Sequence, residues 1–271
     1  MFDKIIGFIG AGNMGSAMIG GILKTSLAAT GQIIASAHSE TTLAQIRTRF
    51  AIETTRSNET VAERSDILFL AVKPGVFDDV IPQIAGHIKS HCIVVSIAAG
   101  KTIASIEQAF GKKVRLVRAM PNTPALVGEA MSALCASASV TPEDLKQVQE
   151  IFNAFGKTEI VPEYLIDTVV GVSGSSPAYV YMFIEAMADA AVADGMPRAQ
   201  AYKFAAQSVC GAAKMVLETG EHPGVLKDAV CSPGGTTIEA VAALEKGGLR
   251  DAVITAQRAC SKKSREMSSA D

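Results

Sequence analysis

Ile6-Gly7-Phe8-Ile9-Gly10-Ala11-Gly12-Asn13-Met14-Gly15 is the stretch that decides the fold. It begins inside a β-branched and aromatic run, Lys4 to Ile9, of the kind that forms a strand buried on both faces. The glycines that follow have the spacing G-x-G-x-x-G, and a helical pattern opens on them and runs through Leu27. A strand, a glycine-rich turn and a helix in that order turn a weak motif into a dinucleotide-binding fingerprint. Gly10 permits the tight turn, Gly12 lets the backbone approach a pyrophosphate, and Gly15 lets helix and strand pack closely. The helix start adds unpaired N–H groups and the positive end of a dipole.

Outward from this unit the pattern repeats. Periodicity predicts strands over 32–35, 67–72, 93–96 and 114–118, with a weaker one over 52–54. Helices are expected over 40–50, 74–88 and 102–110. Further strands are expected over 130–136 and 158–161, around a helix that Thr141-Pro142 starts and Gly156 ends. Alternating strands and helices with short connections imply βαβ units and a mostly parallel sheet. After Pro162 strands disappear. Ser176-Pro177 opens a long helix stopping near Gly195, Pro197 opens another closing at Gly220, and a loop and short turn lead to Val230. Helices over 238–245 and from Leu249 to about Met267 complete the chain. The expected organisation is a Rossmann-type domain over 1–162 and an all-helical domain over 163–271. The helix after Ser176 is apolar around most of its circumference, more than a small domain can bury, so a partner subunit is expected to cover it.

Composition supports this reading. A chain of 271 residues with 48% hydrophobic and 19% charged residues carries a large core and is long for one domain. A net charge of −2 supplies no electrostatic drive toward nucleic acid or an anionic membrane. Cys92, Cys135, Cys210, Cys231 and Cys260 are odd in number and never form C-x-x-C, which reads as free thiols in a reducing compartment. No metal is expected, because His38, His87 and His91 lack ligand spacing. The chain reads as cytoplasmic, with no membrane span and no signal peptide before its first strand.

The end of the second strand normally carries a carboxylate for a ribose 2′-OH. Here Ala35-Ser36-Ala37-His38-Ser39 is small and polar, with no acid before Glu40 and no arginine at the strand end. A 2′-phosphate is tolerated there, which favours NADPH and leaves NADH possible.

A second informative stretch lies near the C-terminus, Cys231-Ser232-Pro233-Gly234-Gly235-Thr236-Thr237-Ile238-Glu239. Two glycines and two hydroxyl residues open a helix, aiming backbone N–H groups and small hydroxyls at one point. Thr236 to Glu239 also fits a capping box, with Thr236 as the cap and Thr237 left free.

Taken in order, Ile6 to Gly15, Ala71-Val72-Lys73-Pro74, Met120-Pro121-Asn122-Thr123-Pro124, Gly174-Ser175-Ser176-Pro177-Ala178-Tyr179 and Ser232 to Thr237 resemble the motifs of pyrroline-5-carboxylate reductase. The likeness covers nearly the whole chain. It implies reduction of the cyclic imine acid 1-pyrroline-5-carboxylate to L-proline with NAD(P)H. It also implies a Rossmann domain, a helical dimerisation domain and a homodimer within a larger homo-oligomer. Carried over by motif, Ile9, Gly10, Ala11, Gly12, Asn13 and Met14 meet the pyrophosphate, and Ser36 and Asn58 the adenosine ribose. Ala71, Val72, Lys73, Pro74, Ala98 and Ala99 line the cofactor toward the nicotinamide. The substrate lies against Ser232, Gly234, Gly235, Thr236 and Thr237, with Asn122 as a further contact. Ser176 departs from the family pattern, which has glycine there; it remains a good N-cap.

An imine is far more basic than a ketone and arrives able to carry its own proton, so no strong acid side chain is required. Thr237 is therefore expected to hydrogen-bond the ring nitrogen, while Ser232 and backbone N–H groups hold the carboxylate. A β-hydroxyacid dehydrogenase, which shares this domain plan, needs a lysine soon after its Gly-x-x-Gly helix start. Here Pro177-Ala178-Tyr179-Val180 follow, and no lysine appears before Lys203. A non-catalytic nucleotide sensor is the other alternative, and the intact substrate motif argues against it.

Overall fold

The computed structural model describes residues 3–269; the expected domain limits at residues 1 and 271 lie outside them. In chain order the first compact unit contains β1 (Ile6–Ile9), α1 (Asn13–Lys24), β2 (Ile33–Ser36), α2 (Glu40–Phe50), β3 (Glu53–Thr55) and α3 (Asn58–Arg64). It continues through β4 (Ile67–Leu70), α4 (Phe77–Ile84), β5 (Ile93–Ser96), α5 (Ile103–Phe110) and β6 (Arg115–Met120). β7 (Ala130–Ala136), α6 (Pro142–Asn153), β8 (Gly156–Ile160) and α7 (Ile166–Val169) complete it. The strands form one sheet in the order β3-β2-β1-β4-β5-β6-β7-β8.

β3 to β6 are parallel, joined through helices; β7 runs antiparallel to β6 because only a one-turn 3-10 segment, Thr123–Val127, connects them. Both faces are buried, as a parallel sheet requires. Phe8 stacks on Phe69 in the adjacent register position, centroids 4.8 Å apart, and Phe152 and Phe155 extend that layer. On the opposite face Ile9, Leu68, Leu70, Val94 and Leu116 pack against Ile81, Ile84 and Ile106 of α4 and α5. Each such side chain contributes about 1.5–3 kcal/mol by leaving water.

Several local expectations need correction. α1 ends at Lys24 rather than Leu27, since Thr25 Oγ1 donates back to Gly21 O and Ser26 turns the chain at φ 56°. Residues 74–88 divide into a 3-10 turn, Pro74–Val76, and α4, which ends before Ala85. α3 was not anticipated from periodicity, being only seven residues long; Ser57 caps it by accepting the Thr60 N–H. Gly156 does not end α6. It opens β8, where a side chain would collide with the Ala130 carbonyl.

The second unit, Ser176–Ala259, is helical: α8 (Ser176–Ala193), α9 (Arg198–Thr219), α10 (Pro223–Ala229), α11 (Thr236–Lys246) and the first half of α12 (Leu249–Ser269). The expected short turn before Val230 is thus a helix, α10. α8 and α9 pack side by side, with Ala188, Ala201 and Ala205 buried. Tyr181, Met182 and Phe183 on α8 and Phe204 on α9 are exposed in the single chain.

The packing divides the chain later than residue 162. Ile166, Val169 and Val170 join Met120, Ala133 and Cys135 in one apolar cluster. Glu163 Oε1 accepts from Ile103 N (2.7 Å) and Arg118 Nη1 (3.0 Å), and Ser264 near the end of α12 donates to Asp167 (2.6 Å). Segment 163–175 and the residues from Cys260 on therefore count with the sheet. Among the described residues no helix is long and apolar enough to cross a membrane, and no cluster of three or more His, Cys, Asp or Glu could hold a metal.

One polar knot ties the sheet's lower edge. Asp66 accepts from Ile5 N (2.9 Å), Lys89 Nζ (2.8 Å) and His91 Nε2 (3.2 Å). Burial opposes its charge, but these donors outweigh it and hold the carboxyl at about 2. A folded-state value below the unfolded one stabilises the protein above the unfolded pKa and ceases to do so as pH falls through the folded one. Asp66→Asn should therefore cost about 2 kcal/mol at pH 7 in urea unfolding at fixed protein concentration, and about half that at pH 3. A cost independent of pH would show that the charge is not what Asp66 contributes.

Candidate active site

The strand order reverses between β1 and β4, and the loops after these strands flank the point where open α/β sheets bind ligands. Ala71 N donates to Ile9 O (2.8 Å) and Gly10 N to Ser36 O (3.1 Å), so three strand ends are pinned together. Gly10 has φ 97°, and a Cβ there would stand 2.6 Å from Ala71 O. One at Gly15 would stand 2.5 Å from Gly10 O, the close seating of α1 on the turn. Gly12 differs from both. It is the N-cap of α1, exposed, with no side-chain cap, and a Cβ would meet nothing within 4 Å. Its open face fits a pyrophosphate lying on bare backbone amides.

The other cofactor candidates surround this cradle. Ile9 and Ala11 are buried, so they offer only backbone; Asn13 is exposed and Met14 half-buried. Ser36 and Asn58 come together, the Ser36 hydroxyl donating to Asn58 Oδ1 (2.7 Å). Asn58 Nδ2 donates in turn to Gln83 Oε1 (2.9 Å), a participant that sequence reading missed because Gln83 lies on α4, 25 residues away. Ala71, Val72 and Pro74 are half-buried and Lys73 exposed, at the end of β4. Ala98 is buried and Ala99 half-buried, after β5.

Asn122 is held from two sides. Its Nδ2 donates to Ser173 O (3.0 Å) and its Oδ1 accepts from Met131 N (3.0 Å), with the residue 8% exposed. The rigidly placed amide braces backbone on two sides.

In the second unit, His222 Nδ1 accepts from Gly224 N (3.0 Å) and caps α10. Gly235 N then donates to Ser232 O (3.1 Å) across Pro233-Gly234, with Gly234 at φ 64°, the pattern of a type II turn. The Ser232 hydroxyl lies where a Gly235 side chain would be. α11 starts at Thr236 with Gly235 as N-cap and no side-chain cap. The expected capping box is therefore absent: Thr236 is the first helical residue, and the amides of the first turn have no side-chain acceptor. Thr237 is half-buried; Ser232 and Gly234 are exposed. Beside this turn Lys227 pairs with Asp228, whose carboxylate raises the ammonium pKa. On α8, Asp189 pairs with Arg198 of α9.

Comparison with known proteins adds an independent finding. Residues 163–267 match the family model for pyrroline-5-carboxylate reductase dimerisation, and residues 5–100 the model for NADP oxidoreductase, coenzyme F420-dependent. A pyrroline-5-carboxylate reductase of Escherichia coli is 54% identical over 266 residues, covering 98% of this chain and 99% of the other. One from Methanosarcina acetivorans is 46% identical, with 98% and 99% covered. Among solved structures, a Plasmodium falciparum pyrroline carboxylate reductase with NADP bound superposes with TM-score 0.90 at 33% identity, each chain 99% covered.

The glycines separate by experiment. Gly10→Ala should destabilise the protein by about 1–3 kcal/mol through strain and collision. Gly12→Ala should cost no more than about 1 kcal/mol yet raise the KM for NADPH on the order of tenfold. Equal loss of stability in both would show that Gly12 serves packing rather than a ligand.

Proposed function

The chain belongs to the pyrroline-5-carboxylate reductase family, and from that premise we propose how its residues divide the work of the reaction. It is an NAD(P)H-dependent oxidoreductase that reduces 1-pyrroline-5-carboxylate to L-proline, the last step of proline biosynthesis. The reduced nicotinamide, when bound, supplies the hydride that adds to the carbon of the C=N bond. Everything else falls to positioning and charge.

In our reading the sheet unit holds the cofactor, with Ile9 to Met14 on the pyrophosphate and Ser36 and Asn58 at the adenosine ribose. Ala71 to Pro74, Ala98 and Ala99 lie toward the nicotinamide. The turn Ser232 to Thr237 holds the substrate. What carries this assignment is the start of α11, a helix N-terminus without a side-chain cap, preceded by a Pro-Gly turn and followed by a half-buried hydroxyl. Gly235 N–H is already given to Ser232 O, so the amides of Thr236 and Thr237, with the Ser232 hydroxyl, are the donors for the substrate carboxylate. The substrate nitrogen arrives protonated, donates to Thr237 Oγ, and keeps its proton in the product amine. No side chain need supply one, in keeping with a turn that contains no His, Asp or Lys.

The helical unit is the self-association surface. The exposed apolar faces of α8 and α9 and the dimerisation model over 163–267 support a homodimer within a larger homo-oligomer. We place the enzyme in the cytoplasm, in keeping with its scattered free cysteines.

Thr237→Ala should lower kcat/KM for pyrroline-5-carboxylate roughly tenfold to a thousandfold, followed by NADPH absorbance, with NADPH affinity unchanged. Wild-type kinetics in that variant would remove Thr237 from the mechanism. Light scattering at micromolar protein should give at least twice the 28.2 kDa chain mass; a monomeric value would refute the self-association surface.

A further inference from the structure

The corner where the adenosine ribose lies contains a cation that the sequence does not place there. β2 and β3 pair in parallel with Ser36 opposite Thr55, so Arg56, the next residue, leaves the sheet beside the end of β2. That end carries no carboxylate, and the Ser36 hydroxyl is committed to Asn58.

The charges around it are already engaged. Arg47 donates to Thr54 Oγ1 (3.2 and 2.9 Å) and lies 3.9 Å from Glu40, the first acid after β2. Arg64 pairs with Glu53, and the guanidinium of Arg49 lies over the Phe50 ring. Among the described residues Arg56 is exposed and has no hydrogen-bond or ion-pair partner. An unengaged guanidinium at the carboxyl end of the sheet, where the ribose carboxylate is missing, suits a phosphate monoester through a two-pronged, charge-assisted contact.

We propose that Arg56 binds the 2′-phosphate of the cofactor and selects NADPH over NADH. This rests on the assignment of Ser36 and Asn58 to the ribose end and names the group that discriminates there.

Calorimetric titration of 2′,5′-ADP and of ADP into the whole protein tests this without turnover. Arg56→Ala should weaken 2′,5′-ADP about tenfold or more and leave ADP within about twofold, with Arg56→Lys intermediate. The KM for NADPH should rise by a similar factor while that for NADH stays put. Unchanged 2′,5′-ADP binding in Arg56→Ala overturns the proposal, as does equal weakening of both nucleotides or a wild-type protein that prefers ADP. Selective loss of 2′,5′-ADP binding in a protein that fails to reduce pyrroline-5-carboxylate would uphold Arg56 and refute the assigned reaction instead.

Discussion

The structure depends on how the chain leaves β1. That strand is paired on both sides, so its last carbonyl is taken by Ala71 N and the next amide by Ser36 O. Between these two constraints the backbone must turn upward under the Ala71 carbonyl, at a positive φ and with no room for a Cβ. Only glycine fits at position 10. Once the turn is made, Gly15 lets α1 settle on it, and α1 starts without a side-chain cap at Gly12, where a Cβ would meet nothing within 4 Å. The packing that closes the core and the polarity that receives an anion follow from one local geometry.

The substrate turn solves a related problem by different means. Pro233 and Gly234 supply a type II turn, Ser232 and Gly235 close it, and α11 begins without a capping side chain. A glycine at the N-cap costs roughly a few tenths of a kcal/mol relative to Ser, Thr, Asp or Asn. In the proposed division of work, the amides and hydroxyls left without a capping side chain are the groups that receive a carboxylate and a basic nitrogen. An acid side chain would add nothing to a substrate that carries its own proton.

The two units are stabilised differently. The sheet unit buries aromatic and β-branched layers on both faces and adds polar ties such as Asp66 with Ile5, Lys89 and His91. The helical unit buries mainly alanines within itself and leaves large apolar side chains outside. It is consistent with a module whose stability is shared with another copy of the chain.

The sequence by itself determined the Rossmann-type sheet, the helical second half and the positions of both turns. Each is written in local chemistry: apolar periodicity, glycines at fixed spacing, proline before a helix. α2, β5 and β7 fall within the expected residues because caps and β-branched runs act over a few positions. Only the tertiary structure decided matters of partnership. It showed that Asn122 is spent on Ser173 and Met131, that Gly235 rather than Thr236 caps α11, and that segment 163–175 packs with the sheet. It also brought Gln83 to Asn58 and Arg56 to the end of β2. A hydrogen bond between residues 25 positions apart, or a register between parallel strands, depends on crossover geometry that no local pattern encodes. The sequence therefore disclosed which groups are present, and the fold disclosed which of them remain free for a ligand.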